Sequence, residues 1–241
     1  MSSLIRTRGI VFHKLSYSDN SLIVKIYTEE LGIRSYVVRG IRARRSGRAS
    51  ALFSPLALLD LIVYERSNRD LQHLKEVKLD EPYINIPFDE ARHSILLFIN
   101  EILYRCIREE EANPGMFAYL RTTLLRLDDP LVSVGNFHLA FLMEMSQFLG
   151  FSPEDNHSPI NSCFSLREGC FRPHTALDDS LTDAASGSLF ARLMREGEHI
   201  TGMNAASRRL LLQQLLDYYR HHLEGMGEIR SHLVLEQVFR P

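Results

Sequence analysis

Cysteine is scarce in this sequence: three residues in 241, an odd number, which argues against a disulfide framework in a chain of this size. No apolar run reaches the length of a membrane span. The opening Met-Ser-Ser-Leu-Ile-Arg-Thr-Arg lacks the apolar core of a signal peptide. These absences give the expectation of a reduced, cytoplasmic protein without a membrane partner. Chemical motifs are missing too. There is no Gly-rich phosphate loop with a lysine, no dinucleotide fingerprint, no HExxH and no nucleophile elbow. Asp128-Asp129 and Asp178-Asp179 are the paired carboxylates. The first pair falls at a helix end and start, where acids cap orphan backbone donors, and the second in a polar loop. Metal-dependent nuclease chemistry on either pair is the weaker reading, so the chain is expected not to be an enzyme.

What is present is an ordinary globular composition, 45% hydrophobic and 24% charged, with an asymmetric charge. Residues 1–80 carry 14 Lys and Arg against 8 Asp and Glu, a net of +6; the rest carry 14 against 22, a net of −8. All four lysines lie in the first part: Lys14, Lys25, Lys75 and Lys78. Opposite charge on the two parts suggests two domains, with a polyanion partner on the first.

The basic part has a focus. Arg34, Arg39, Arg42, Arg44, Arg45 and Arg48 lie within fifteen residues that hold no acid. The run starts inside a predicted strand and ends in a Ser/Gly loop. Arginine's fork of donors suits phosphate and stacks on planar groups. Tyr27, Tyr36 and Tyr64 lie on neighbouring strands, so charge for the backbone and rings for the bases come together. The candidate nucleic-acid residues are therefore these six arginines with Arg8, Lys14 and Tyr36, and Tyr64 is the other candidate stacking ring.

Alternation over 5–15, β-branched and aromatic content over 22–27, Tyr36, Val37 and Val38 within 33–41, a long apolar run over 56–64 after Pro55, and apolar Leu71, Leu74, Val77 and Leu79 within 71–79 predict five strands. Turn clusters at 17–21, 29–32 and 67–70 separate them. Five strands in about eighty residues suggest a small barrel; an OB-fold is the first candidate and an SH3-like barrel the alternative. Pro82 and Pro87 mark a linker. Beyond it, apolar residues recur at three- and four-residue steps. They predict helices over about 89–110, after Asn113-Pro114, over 137–148 to Gly150, around 189–194, over about 203–224, and at Leu233 to Phe239. The fold class is thus α+β multidomain: a five-stranded barrel over 1–80 and an all-α domain over 81–241, interrupted by a loop or hairpin insertion at 151–185.

That insertion contains His157, Cys163, Cys170 and His174. The spacing H-x5-C-x6-C-x3-H offers two thiols and two imidazoles, a set a tetrahedral zinc site could use. No C-x-x-C pair is present, so two reduced cysteines on a hairpin is the favoured reading. The expectation is no metal and no cofactor.

The ordered pieces resemble a known family. Thr7-Arg-Gly-Ile-Val, Tyr17-Ser-Asp-Asn-Ser-Leu-Ile-Val, Tyr27-Thr-Glu-Glu-Leu-Gly, Val38-Arg-Gly-Ile-Arg and Asp70-Leu-Gln-His-Leu-Lys-Glu-Val are similar to the N-terminal domain of the bacterial recombination mediator RecO. Leu211 to Phe239, with Ile229-Arg-Ser231, resembles that family's C-terminal end. The resemblance implies an N-terminal OB-fold and a helical C-terminal domain, in a cytoplasmic, nucleoid-associated protein. It implies binding of single- and double-stranded DNA and annealing of complementary strands without ATP. It also implies contact with the C-terminal tail of single-stranded DNA-binding protein, and action with RecR to load RecA. Many members carry a four-cysteine zinc module in the insertion; this sequence has only Cys163 and Cys170 there. An acidic, apolar-ended tail wants an apolar groove rimmed by arginine, which makes Arg121, Arg126, Arg208 and Arg209 the candidate partner-site residues. The alternative is a helical adaptor whose barrel is a protein-interaction module.

Overall fold

The computed structural model describes residues 3–18, 21–39, 52–65, 69–108, 110–175 and 178–239. Five strands form a closed barrel in the order β1-β2-β3-β5-β4: β1 Ser3–Ser18, β2 Ser21–Thr28, β3 Gly32–Arg39, β4 Leu58–Glu65 and β5 Leu71–Leu79. Neighbours are antiparallel except β3 and β5, which run parallel over Ser35–Val37 and Leu71–His73. The alternation read from the sequence is the barrel's inside-outside rule. Val24, Ile26, Tyr36, Leu59, Leu61 and Val63 point inward and are buried. Gly9 sits where a Cβ would come within 2.6 Å of Ile26 and 2.8 Å of Leu61, so only glycine fits that wall. The register shifts between Val11 and His13, and Phe12 at that bulge is buried. Phe12 then stacks on Tyr27 at 5.5 Å.

The helices are α1 Glu90–Cys106, α2 Pro114–Asp128, α3 Phe137–Phe148, α4 Ala184–Glu196, α5 Ala205–His222 and α6 His232–Val238. Asp89 and Asn113 accept from the backbone of Arg92 and Met116, each at 3.0 Å. Both side chains cap the first turn of their helices. Asp129-Pro130 does not open a helix. Asp129 instead accepts from Leu131 in a turn, and α3 starts at Phe137.

The chain forms two compact units that do not follow chain order: 1–88 with 107–128, and 89–106 with 129–241. The first helix therefore stops at Cys106, short of the expected 110, where the chain passes from the second unit to the first. In the first unit α2 packs on the barrel. Phe117 meets Tyr27 at 6.1 Å, and Tyr27 donates to the Asn113 carbonyl at 3.3 Å. Gly32, at φ +68°, lies where a Cβ would come within 2.5 Å of the Glu110 and Glu111 carbonyls. The stretch expected to be a linker is tied down here too. Asp128 accepts from the backbone of Ile84, Asn85 and Ile86 at 2.8–2.9 Å, and Tyr83 donates to the Leu56 carbonyl at 2.6 Å.

The second unit is centred on buried Phe98, Ile102, Leu139, Leu142, Leu215 and Tyr219, with Tyr219 donating to the Leu142 carbonyl at 2.6 Å. The insertion adds a short hairpin of β6 Cys163–Ser165 and β7 Cys170–Arg172, turned by Gly169 at φ +69°. Among the described residues no helix is long and apolar enough to cross a membrane.

Candidate nucleic-acid interface and a groove among the helices

In an OB-type barrel the outer face of strands two and three is the surface that takes oligonucleotides. Register shows which residues of this chain share that face. Directly opposite residues share a face, and the pairs His13–Lys25, Lys25–Ser35, Leu15–Ile23, Ile23–Val37 and Ser21–Arg39 run across β1, β2 and β3. Their parity is opposite to buried Val24, Ile26 and Tyr36, so they lie on the outer side of the wall, where Val37 is covered, Ile23, Lys25 and Ser35 are half-buried and His13, Leu15 and Arg39 are exposed. Leu15 and Tyr17 are 57% and 62% exposed, and Tyr17 sits at a second register shift near the strand end. Arg39 is exposed at the end of β3 and leads into the rest of the arginine run. Lys14 is exposed on β1. A polar recess adjoins Lys25; Arg34, Arg69 and Arg108 line it together with Glu65 and Asp70.

Other expected residues lie elsewhere. Tyr36 is fully buried in the barrel core, and its hydroxyl has no partner. Burial pushes its phenol above the ordinary range. A ring at 0% exposure has no face to offer a base, so Tyr36 is a core residue and not a stacking platform. Tyr64, 40% exposed on β4, is accessible. Arg8 is committed to Glu29 through two contacts of 2.8 and 2.6 Å, and it lies 5.7 Å from the Phe117 ring centre. Arg34 pairs with Glu65 at 3.4 Å and donates to the carbonyls of Ile33 and Glu110 at 2.9 and 2.8 Å. Its charge is largely spent inside the unit. Arg42, Arg44, Arg45 and Arg48 lie outside the described residues.

The four candidate partner-site arginines divide between the units. Arg121, on α2, pairs with Asp80 and Glu81, and Arg126 is half-buried on the same helix. Arg208 and Arg209, on α5, come together at the rim of a small, partly open pocket. Its apolar lining includes Leu212, Leu235, Phe239 and the ring of His138. Phe239 stacks on His138 at 5.8 Å and 23°. Arg208 Nε donates to Asn136 Oδ1 at 3.0 Å, and Nη2 to the Met203 carbonyl at 3.4 Å. Both acceptors are neutral, and burial lowers its guanidinium pKa. Arg209 Nε lies 3.4 Å from Glu236. His138 is 1% exposed with Nδ1 unpartnered, and burial holds its imidazole neutral, pushed down to about 3.

The candidate ligands of the insertion lie in separate surroundings. Cys163 is fully buried, and burial pushes the Cys170 thiol above its ordinary range, with Sγ 3.7 Å from Glu168. His157 packs edge-on against Phe171 at 5.1 Å. His174 is exposed beyond the hairpin. Among the described residues no three His, Cys, Asp or Glu side chains gather as metal ligands, so the donor set does not fit the family's four-cysteine module. Phe164 holds the hairpin instead, stacked on Phe190 at 4.4 Å and meeting Phe171 and Tyr218 at 5.1 and 5.5 Å. The acid pairs are likewise engaged: Asp128 as described above, and Asp178 with the backbone and hydroxyl of Ser180 at 2.9 and 2.6 Å.

A closed five-stranded barrel with a basic, partly aromatic outer face, followed by a helical domain, defines the class of OB-fold proteins with an appended helical domain. The comparisons give the particular family. Residues 1–83 match "Recombination protein O N terminal" and residues 87–231 match "Recombination protein O C terminal". The "DNA repair protein RecO" of Bacteroides fragilis is 38% identical over 98% of this chain and 99% of its own length. Those of Flavobacterium psychrophilum and Porphyromonas gingivalis are 35% and 30% identical over the same shares. The chain belongs to the recombination protein O (RecO) family.

Proposed function

We propose that this chain is a recombination mediator that works without covalent chemistry, on DNA in the cytoplasm. The observation that carries the reading is the outward row of His13, Lys25, Leu15, Tyr17 and Arg39 across β1, β2 and β3, continuous in sequence with the arginines at 42–48. Cations displace the counterions condensed on phosphates. An exposed ring at Tyr17 or Tyr64 stacks a base, an interaction worth roughly 1–3 kcal/mol. Screening the charge of two strands on one surface lets them approach and pair, so annealing needs no nucleotide fuel. The same face takes single and double strands, because charge reads backbone and not sequence.

The groove under Arg208 and Arg209 suits the acidic, apolar-ended tail of single-stranded DNA-binding protein. Its lining offers apolar contact, and Arg208 has only neutral partners to give up. Docking there places the mediator on coated strands, where with RecR it supports loading of RecA. No metal takes part in this scheme.

The test is annealing of two complementary labelled oligonucleotides coated with single-stranded DNA-binding protein, without ATP or added metal. Fast annealing is expected. Annealing of naked but not coated strands would remove the groove from the scheme, and annealing of neither would remove the mediator reading.

A further inference from the structure

The rim of the helical-unit groove is already occupied by a piece of this chain. Helix α6 brings Leu235 and Phe239 to the apolar lining and Glu236 to Arg209. Apolar residue, carboxylate and aromatic ring are the groups an acidic, apolar-ended peptide would bring. We infer that α6 is a built-in latch, with Glu236 and Phe239 standing in for the incoming peptide until it displaces them; this inference rests on the groove being the peptide site.

The two ends of the segment are held differently. At its start, Glu101 accepts from the backbone of Arg230 and Ser231 at 3.1 and 2.8 Å and from the Ser231 hydroxyl at 2.5 Å. This clamp fixes where α6 begins. At the far end the polar tie to the groove is the Arg209–Glu236 pair, whose arginine side chain is 47% exposed. Exposed pairs of this kind are weak. The aromatic tie is the Phe239–His138 stack. Between them Leu235 is 1% exposed and pins the middle of the helix, so the part held weakly enough to swing is the end from Glu236 to Phe239. The two arginines are unequal as well. Arg208 exchanges only the neutral oxygens of Asn136 and Met203 for a peptide carboxylate, whereas Arg209 must first release the charged Glu236. The latch therefore lowers affinity by competition, in proportion to the time it is closed.

The probe is the synthetic peptide Asp-Asp-Asp-Asp-Leu-Phe with a free carboxylate, titrated against the full chain by fluorescence anisotropy. Glu236→Gln is expected to bind it about threefold to tenfold tighter, with unchanged circular dichroism. Arg208→Ala is expected to lose the peptide, which tests the groove itself. Amide exchange in residues 232–239 is expected to speed up when peptide saturates the wild-type chain. If Arg208→Ala loses the peptide but Glu236→Gln binds it no tighter, and exchange in 232–239 stays the same or slows, α6 is a fixed wall and the latch is overturned while the groove stands. If neither the wild type nor Glu236→Gln binds, or if Arg208→Ala binds normally, the groove reading falls and the latch with it.

Discussion

Arg8 and Glu29 face each other across the barrel wall as a two-contact pair, at 2.8 and 2.6 Å, with the guanidinium 5.7 Å from the Phe117 ring centre. Arg8 holds the Glu29 carboxyl below its usual range. Such an arginine adds no net charge for a polyanion; it joins β1 to the turn after β2 and to α2. Arg8→Ala is therefore expected to act on stability, at about 1 kcal/mol for a half-exposed pair with a ring contact. The slope of log affinity against log salt for single-stranded DNA is expected to stay unchanged. Thermal melts and a salt titration on the same variant check both halves. A flattened salt slope would place Arg8 on the DNA after all.

Arg39 and Lys25 face outward on the same three strands. Each phosphate contact on a single strand contributes about 0.7 to the salt slope. Arg39→Ala is expected to lower the slope by roughly that amount and to weaken binding at every sequence tested. Lys25→Ala should do the same. Tyr17→Ala is expected to leave the slope alone while losing about 1–3 kcal/mol of affinity if a base stacks there. Slope and affinity measured together separate the charged groups from the ring.

The barrel was legible because period-2 alternation is a local property. Ile23 to Tyr27 and Leu58 to Tyr64 add β-branched, aromatic and apolar runs of strand length that are read without any partner. Which face of each strand turns outward was not legible, because that depends on register and on the bulge at Val11/His13. This is why Lys25, His13 and Tyr17 escaped notice while Tyr36 drew it: an aromatic among arginines reads as a stacking ring until pairing places it opposite Val24, inside. Arg8 and Arg34 read as cations free for DNA for a related reason. Their acids, Glu29 and Glu65, are 21 and 31 residues away, and a count of local charge does not see them. The pairing of Arg208 and Arg209 with a groove was readable in part, since the arginines precede the apolar Leu211 and Leu212. Its other wall comes from α6, some 25 residues on, and no spacing rule connects the two.

The insertion is expected to stand without metal. Phe164 is fully buried against Phe190, Phe171 and Tyr218. Backbone bonds tie the hairpin further, Thr182 to the Phe164 carbonyl at 2.9 Å and Leu166 to the Ser180 carbonyl at 2.9 Å. Treatment with a strong chelator should leave the melting temperature unchanged, and mass spectrometry of the purified chain should find no stoichiometric zinc. Phe164→Ala should cost about 3–5 kcal/mol, the range for truncating a buried phenylalanine. A chelator-sensitive melt would show that cysteine and histidine ligation, and not the aromatic cluster, supports the hairpin.

His138 gives the second unit a defined acid sensitivity. Burial, with Arg208 nearby, pushes its imidazole down to about 3, whereas an unfolded histidine titrates near 6.5. A base whose folded pKa is depressed contributes fully above the unfolded value. As pH falls below about 6.5 the unfolded chain takes up a proton that the folded chain refuses, and stability declines until the folded pKa is reached. Between pH 7 and 5 that loss amounts to about 2 kcal/mol, and it depends only on the folded pKa lying well below 5. Carboxylates such as Asp60, held near 2 by Arg6 and Lys78, act in a lower window, below about pH 4. His138→Phe keeps a ring between Phe98 and Phe239 and removes the unpartnered Nδ1. Its melting temperature is expected to fall clearly less between pH 7 and 5 than that of the wild type. Equal slopes for the two chains would mean that His138 is hydrated or protonated in the fold, against its 1% exposure.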